Sequence, residues 1–459
     1  MREWSAMIPA PVEAIPRPST RLGYSFGRSW FLLVLAGLVW LVPALVDGRF
    51  AYAMVGWDLL LLLGWLADLR MLPQPGHLIV RRRWTTPLAL SVESQAEISV
   101  ANQSKSTLHV QILDYVPSSL RNEPAAVELT VPARGEAGAT YTVQPTNRGP
   151  ATVAPCYLRY QSALRLAERW AIADLTQEVT VYPDLRDARR VAMFLMRSRQ
   201  VELEKRFSRI RGAGHAFESL REYREGDDFG DICWTATARR GKLVTRLYEL
   251  ERSQTVWIVL DTGRLMRTRV ASLSKLDYAV NAALALSQVA LLAGDRVGLL
   301  AYKRTIQSLI PAERGKAQLR QLLEALAGVR EDGSEADHLH AVSRLMRNQR
   351  RRSFVVWITD LAETVMTPEV IEAASALLSR HLVLFVVIGQ PDLQRAAAQR
   401  PSSVAEMYEV SAAQEVIHRR ERLLARLRER GALALEAESG DLAPLLVNSY
   451  LQVKQRSQL

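Results

Sequence analysis

The stretch RIRGAGHAFESLREYREGDDFGDICWTATARRGKLVTRLYELERSQTVWIVLD, Arg209 to Asp261, divides the chain. Its charges cannot share one helix face, because Gly212, Gly214, Gly226 and Gly241 interrupt every helical period they could follow. It reads as a shaped recognition surface feeding into a buried strand, TVWIVLD. Downstream, apolar runs alternate with helical stretches: KLDYAVNAALALSQVALLAG, RVGLLAYK, a second short strand IQSLIP, helical stretches to Asn348, SFVVWITD, LVLFVVIG, ALALEAES and a final helix. Near-continuous apolar strands separated by helices predict a Rossmann-like α/β domain over 255–459, its sheet covered on both faces. Ligands bind such sheets at the carboxyl ends of strands, so Asp261 and Asp360, each ending an apolar run, are predicted at one rim. HRRERLLARLRER, His418 to Arg430, predicts an amphipathic helix with Leu423, Leu424 and Leu427 on the sheet and a solvated arginine face.

Upstream, 184–254 comprises a linker helix, Leu185 to Phe207, and the charged stretch itself. Between 77 and 183 the runs LALSVES, AEISVANQS, LHVQILDYV, AVELTVP, TYTVQP and EVTVYP alternate apolar and polar residues between turn residues. That period of two predicts an antiparallel β-sandwich, immunoglobulin-like in architecture alone because no Cys, Trp, Cys spacing is present, and suited to a spacer or docking role. Trp30 to Val46 and Phe50 to Ala67 are apolar except for Asp58 and are separated by Asp47, Gly48 and Arg49. At a rise of ~1.5 Å per residue each crosses most of a ~30 Å hydrocarbon layer, which predicts a transmembrane helical hairpin over 28–70 with Trp30 and Trp65 near the interfaces. Asp58 either pairs with Arg49 or a headgroup, or marks a functional carboxylate. Arg21 and Arg28 precede the spans and Arg70, Arg81, Arg82 and Arg83 follow them. Positive flanks stay inside, so the expected location is the inner (cytoplasmic) membrane, multi-pass, with termini and soluble domains in the cytoplasm. Residues 1–27, with Pro9, Pro11, Pro16 and Pro18, are expected to be a flexible arm.

The chain has 459 residues, enough for about three domains at ~150 residues each. Its formal charge of +11 is spread along the sequence and not gathered into one aromatic-interleaved patch. That distribution suits an anionic membrane surface and argues against nucleic acid as a partner. Cys156 and Cys233 form neither a disulfide framework nor a zinc pattern, which fits a reducing compartment. The run RGAGHAF lacks a third fingerprint glycine and a preceding apolar strand, and no GxxxxGK[ST], GxSxG or HExxH occurs. His338 and His340, spaced i, i+2, point to different sides of a helix and read as surface histidines.

The charged stretch also resembles the signature of the domain of unknown function 58 family, bacterial membrane-linked proteins whose last domain is similar to von Willebrand factor A domains. The residues that carry the resemblance are Gly212, Gly214, Phe217, Leu220, Arg221, Glu222, Tyr223, Gly226, Asp227, Asp228, Ile232, Trp234, Ala238, Arg239, Arg240, Gly241, Glu251 and Arg252. The sequence departs from the family pattern at Gly230, Cys233 and Thr235, where the family usually has Arg, Asp or Asn, and Lys. Arg221 and Arg239 are expected to fork onto Asp227 or Asp228 under cover of Tyr223 and Trp234, either as a partner surface or as an internal brace between domains. The metal-ion-dependent adhesion site of von Willebrand factor A domains reads Asp, any, Ser, any, Ser, then a later Thr and a later Asp. Here the run is Asp261, Thr262, Gly263, Arg264, Leu265, so both hydroxyl ligands are missing. Asp360 matches the late Asp, and Ser334 or Asp337 lies where the Thr is expected. The site is degenerate, and no cofactor is expected beyond a weakly held divalent cation such as Mg²⁺.

The resemblance implies a partnership with MoxR-type AAA+ ATPases, the von Willebrand factor A-like domain acting as adaptor in assembly or maturation of protein complexes. The expectation is therefore a membrane-anchored, non-enzymatic interaction protein with protein clients. The rival is a metal-dependent hydrolase using Asp261 and Asp360.

Overall fold

The computed structural model describes residues 7–20, 23–184, 216–223, 229, 232–249, 254–360 and 367–455. The chain divides into two compact units, Met1–Asp184 and Leu185–Leu459.

The first unit opens with three short strands, β1 (Val12–Ala14), β2 (Arg17–Pro18) and β3 (Tyr24–Phe26). Nine more form the body: β4 (Leu78–Trp84), β5 (Ser94–Asn102), β6 (Leu108–Asp114), β7 (Ala125–Val131), β8 (Glu136–Val143), β9 (Gly149–Val153), β10 (Cys156–Gln161), β11 (Ala167–Ala173) and β12 (Gln177–Val181). One sheet has the order β1-β4-β5-β8, the other β2-β11-β10-β6-β7 with β3 also on β11, and β9 pairs β12. Alternate residues such as Leu78, Val80, Trp84, Ala96, Ile98 and Val100 point into one shared core. The expected sandwich is therefore present, and the described part of the expected arm, 7–20 and 23–27, carries paired strands. Val12–Ala14 adds antiparallel to β4, and Arg17–Pro18 adds to β11. Pro18 fits there because β2 is an edge strand, where a missing N–H is not needed. LALSVES also departs from expectation: Ser91 takes φ +59° in a turn, and the strand starts at Ser94.

Between β3 and β4 run α1 (Arg28–Gly37), a 3₁₀ turn (Leu38–Trp40), α2 (Leu41–Ala44) and α3 (Arg49–Met71). The break in the first expected span has a local cause: Pro43 has no N–H for the Val39 carbonyl and its ring crowds it. Trp57 Nε1 donates to the Leu33 carbonyl at 3.1 Å, and a Cβ on Gly37 would lie 2.5 Å from the Trp57 ring, so the glycine permits close packing of α1 on α3. Among the described residues one helix, α3, is long and apolar enough by length and composition to cross a membrane, and Arg28–Pro43 is a shorter apolar helix. Asp58 is exposed on α3. Asp68, in the last turn, is buried and accepts from Ser162 Oγ (2.5 Å), Leu166 N (3.1 Å) and Ala167 N (2.8 Å), which fixes α3 to the start of β11.

The described part of the second unit begins with an antiparallel hairpin, β13 (Ala216–Glu222) and β14 (Val244–Glu249), with α4 (Trp234–Arg240) between its strands. Gly241, at φ +66°, ends α4 in the left-handed conformation that favours glycine. The linker helix expected over Leu185 to Phe207 lies outside the described residues. Then follow β15 (Thr255–Asp261), the two-residue pair β16 (Arg269–Val270) and β17 (Leu273–Ser274), α5 (Lys275–Leu292), β18 (Arg296–Tyr302), β19 (Ile306–Glu313), α6 (Gly315–Gly328), α7 (His338–Asn348), β20 (Phe354–Thr359), α8 (Thr367–Leu378), β21 (Leu382–Ile388), α9 (Pro391–Ala398), α10 (Val404–Glu429), β22 (Leu433–Ala437) and α11 (Leu442–Gln455). The sheet order is β19-β18-β15-β20-β21-β22, parallel except for β19 against β18. Trp257, Val259, Val355, Trp357, Phe385 and Val387 pack with α7, α8 and α10 on one face. Helix α5, apolar nearly all round, packs against β15 and β18 and is covered by α11, as a buried crossover helix should be.

Candidate functional site

The connection from β15 through α5 leads to β18 on one side, whereas β20 pairs on the other side of β15. The order reverses between β15 and β20, and the crevice beyond their carboxyl ends is where open α/β sheets place ligands. Asp261 ends β15, and Asp360 directly follows β20. Both expected rim carboxylates are thus brought to neighbouring strand ends, and both are buried.

Their oxygens are already engaged. Asp261 Oδ1 accepts from Gly263 N (2.8 Å) and Oδ2 from Thr359 Oγ1 (2.6 Å). A Cβ on Gly263 would lie 3.1 Å from Ala336 and from Asp261 Oδ1, so a side chain there is resisted by the loop that holds Asp261. Asp360 Oδ2 takes the Lys275 ammonium at 2.5 Å, and its Oδ1 takes Arg420 Nη2 at 3.3 Å. Arg420 Nη1 continues to Glu436 Oε1 at 2.7 Å, at the end of the sheet. Lys275 and Arg420 are buried as fully as the carboxylate they meet. Burial pushes the Asp261 carboxyl up, and burial holds Lys275 down against the opposing pull of Asp360. Behind Asp261, Tyr302 Oη and His338 Nδ1 lie 2.8 Å apart, and Trp357 Nε1 donates to Tyr302 Oη at 2.7 Å. Burial drives Tyr302 well above its ordinary value and lowers His338. His338 is a core histidine, a correction to the surface reading, whereas His340 is exposed.

These residues do not fit a divalent cation. Mg²⁺ needs about six oxygens in an octahedron at ~2.1 Å. Here Gly263 and Leu265 supply no hydroxyl, Asp337 Oδ1 caps α7 through His340 N, and cations face both Asp360 oxygens. A doubly charged ion about 4 Å from an ammonium would be repelled by roughly 8 kcal/mol at an effective dielectric of ~20. Among the described residues no group of three or more His, Cys, Asp or Glu is arranged to hold a metal.

Of the signature residues, the structure describes some and not others. Gly226, Asp227 and Asp228 lie outside the described residues, and with them the expected fork from Arg221 and Arg239. Arg221 stands opposite Thr245 in the hairpin, and Glu222 pairs with Lys242 at 3.2 Å in the open. Tyr223 lies 5.8 Å from the Phe229 ring. Trp234 is 66% exposed at the first turn of α4, Phe229 is 72% exposed, and Arg239 is exposed near the end of α4.

Reading the sequence missed Lys275, Arg420, Thr359 and Glu436. One signal for Lys275 was available. It is the first residue of a helix whose Ser274 and Asp277 form a capping box, and a cation at that end opposes the helix dipole unless a carboxylate answers it. Arg420 was hidden inside a run that otherwise does face water, and Leu423, Leu424 and Leu427 are buried as expected.

The fold and rim define an α/β unit with a doubly wound, mostly parallel sheet and a charge-compensated crevice. Residues 219–398 match the family model described as Protein of unknown function DUF58. Uncharacterized proteins of Mycobacterium bovis and Mycobacterium tuberculosis are each 28% identical over 184 residues, which is 40% of this chain and 57% of theirs. The chain thus spans little more than half the length of those relatives. Among solved structures, the conserved hypothetical protein BatB from Bacteroides thetaiotaomicron is similar at a TM-score of 0.31 and 13% identity, covering 44% of this chain and 100% of that one. The vWF domain of the type V pili tip protein Mfa5 from Porphyromonas gingivalis is similar at 0.31 and 10%, covering 44% and 95%.

Proposed function

We propose that the protein is a membrane-anchored, non-enzymatic adaptor, held by α1–α3 as a transmembrane hairpin in the cytoplasmic membrane with its soluble units in the cytoplasm. Its α/β unit binds a MoxR-type AAA+ ATPase and presents protein clients for assembly or maturation of complexes. The observation that carries the reading is the pair of large aromatics, Trp234 and Phe229, exposed in the stretch that matches the DUF58 model, beside charged hairpin residues. Exposed Trp within a charged rim is the composition of a protein-binding hot spot. The rim supports a binding role over a chemical one, because Asp360 is engaged by Lys275 and Arg420, and Asp261 by Thr359 and Gly263.

Affinity purification of the full chain from membranes tests the partner. Wild type is expected to retain an AAA+ ATPase that Trp234→Ala with Phe229→Ala loses while remaining folded. An unchanged partner list in that folded variant would remove the hairpin as the docking surface. Anchoring is checked by alkaline carbonate washing, which is expected to leave the protein in the membrane pellet.

A further inference from the structure

The carboxylate that a metal-dependent rim would offer to an ion is here met from within the chain. Lys275 extends from the first turn of α5 and places its ammonium 2.5 Å from Asp360 Oδ2, at 0% and 1% side-chain exposure. Arg420 reaches the other oxygen from α10 and passes the charge on to Glu436 in β22. The four groups balance, two cations against two carboxylates: two helices, α5 and α10, converge on Asp360, and Glu436 completes the balance through Arg420. Asp261 stays apart from it, bonded to Thr359 and to its own loop. An ammonium is a compact point charge with three donors, which suits it to stand on a carboxylate where a small hard cation would otherwise stand.

We propose that the Lys275 ammonium is the resident cation of this rim, so that the α/β unit keeps its binding-competent shape without any divalent metal. The charge is covalently part of α5 and cannot be removed by chelation or exchanged by ion concentration. The inference stands whichever protein the unit binds.

The test uses the full chain in lipid nanodiscs and Mn²⁺ as the probe. Wild type is expected to give no saturable heat on Mn²⁺ titration and the same unfolding midpoint in EDTA and in Mn²⁺. Lys275→Met, which keeps the stem and removes the charge, is expected to lower the midpoint by roughly 10 °C. Lys275→Arg is expected to recover part of that loss. Saturable Mn²⁺ binding by wild type that Asp360→Asn abolishes would overturn the proposal, as would a Lys275→Met midpoint equal to that of wild type. Should Lys275→Met fail to fold, the wild-type and Asp360→Asn titrations decide alone.

Discussion

Among the described residues each unit buries dehydrated ion pairs, and Arg82–Asp114 in the first is built differently from Lys275–Asp360 in the second. In the sandwich, Arg82 of β4 donates through Nε to Asp114 Oδ2 (2.9 Å), through Nη1 to the Leu175 carbonyl (2.7 Å), and through Nη2 to the Ala154 carbonyl (3.0 Å) and to Asp114 Oδ1. Tyr141 Oη donates to the same carboxylate at 2.6 Å. In the α/β unit, Lys275 meets Asp360 at the strand ends. For Arg82 burial works against the charge, but the bonds to Asp114 outweigh it and the group is held above its ordinary value. For Lys275 burial wins over Asp360, and the group is held below. A guanidinium saturated by two carbonyls and a carboxylate closes a core, whereas an ammonium at a topological switch point compensates a crevice. Position and saturation, not the type of bond, separate a brace from a site.

The largest effect is expected for Arg82→Met. It strands Asp114 and two carbonyls in the sandwich core and is expected to cost about 5 kcal/mol, read from urea unfolding of the first unit's transition. Lys275→Met should cost about 3 kcal/mol in the second unit, because Arg420 still answers one Asp360 oxygen. Asp68→Asn retains one acceptor where three donors converge and should cost about 2 kcal/mol, with the loss confined to the first unit. Gly263→Ala crowds Ala336 and the Asp261 carboxylate and should cost about 1 kcal/mol. The smallest effect is in pH dependence. Burial lowers His381 to about 4, below an unfolded value of about 6.5, and its Nδ1 lies 3.0 Å from Ser353 Oγ. The unfolded chain then binds the extra proton first, so this contribution is whole above pH ~6.5 and is lost as pH falls towards 4. Unfolding of the second unit followed across that window should show a shallower slope in His381→Asn.

What the sequence revealed follows the same division. The strands of the α/β unit were legible because Thr255–Asp261, Phe354–Thr359 and Leu382–Ile388 are buried on both faces and therefore apolar almost without interruption. Strand β4 was not, because LIVRRRW carries three arginines, one of which points inward to Asp114. No local pattern reveals that pairing, since its partners are 32 positions apart. The strands of the expected arm were missed because proline content was weighed without the edge positions that tolerate it. Asp261 and Asp360 were placed correctly by the strand-end rule, but the rule says nothing about what meets them. Lys275 and Arg420 come from helices 85 and 60 positions away from Asp360.

The central claim is that Lys275 and Asp360 stabilise the rim through each other, and a double-mutant cycle measures that directly. Lys275→Met, Asp360→Asn and the combined variant would be unfolded in urea alongside wild type in the presence of EDTA. The account predicts that the combined variant loses at least ~1 kcal/mol less than the sum of the single losses. Strictly additive losses would show that the two charges do not depend on one another and would contradict it.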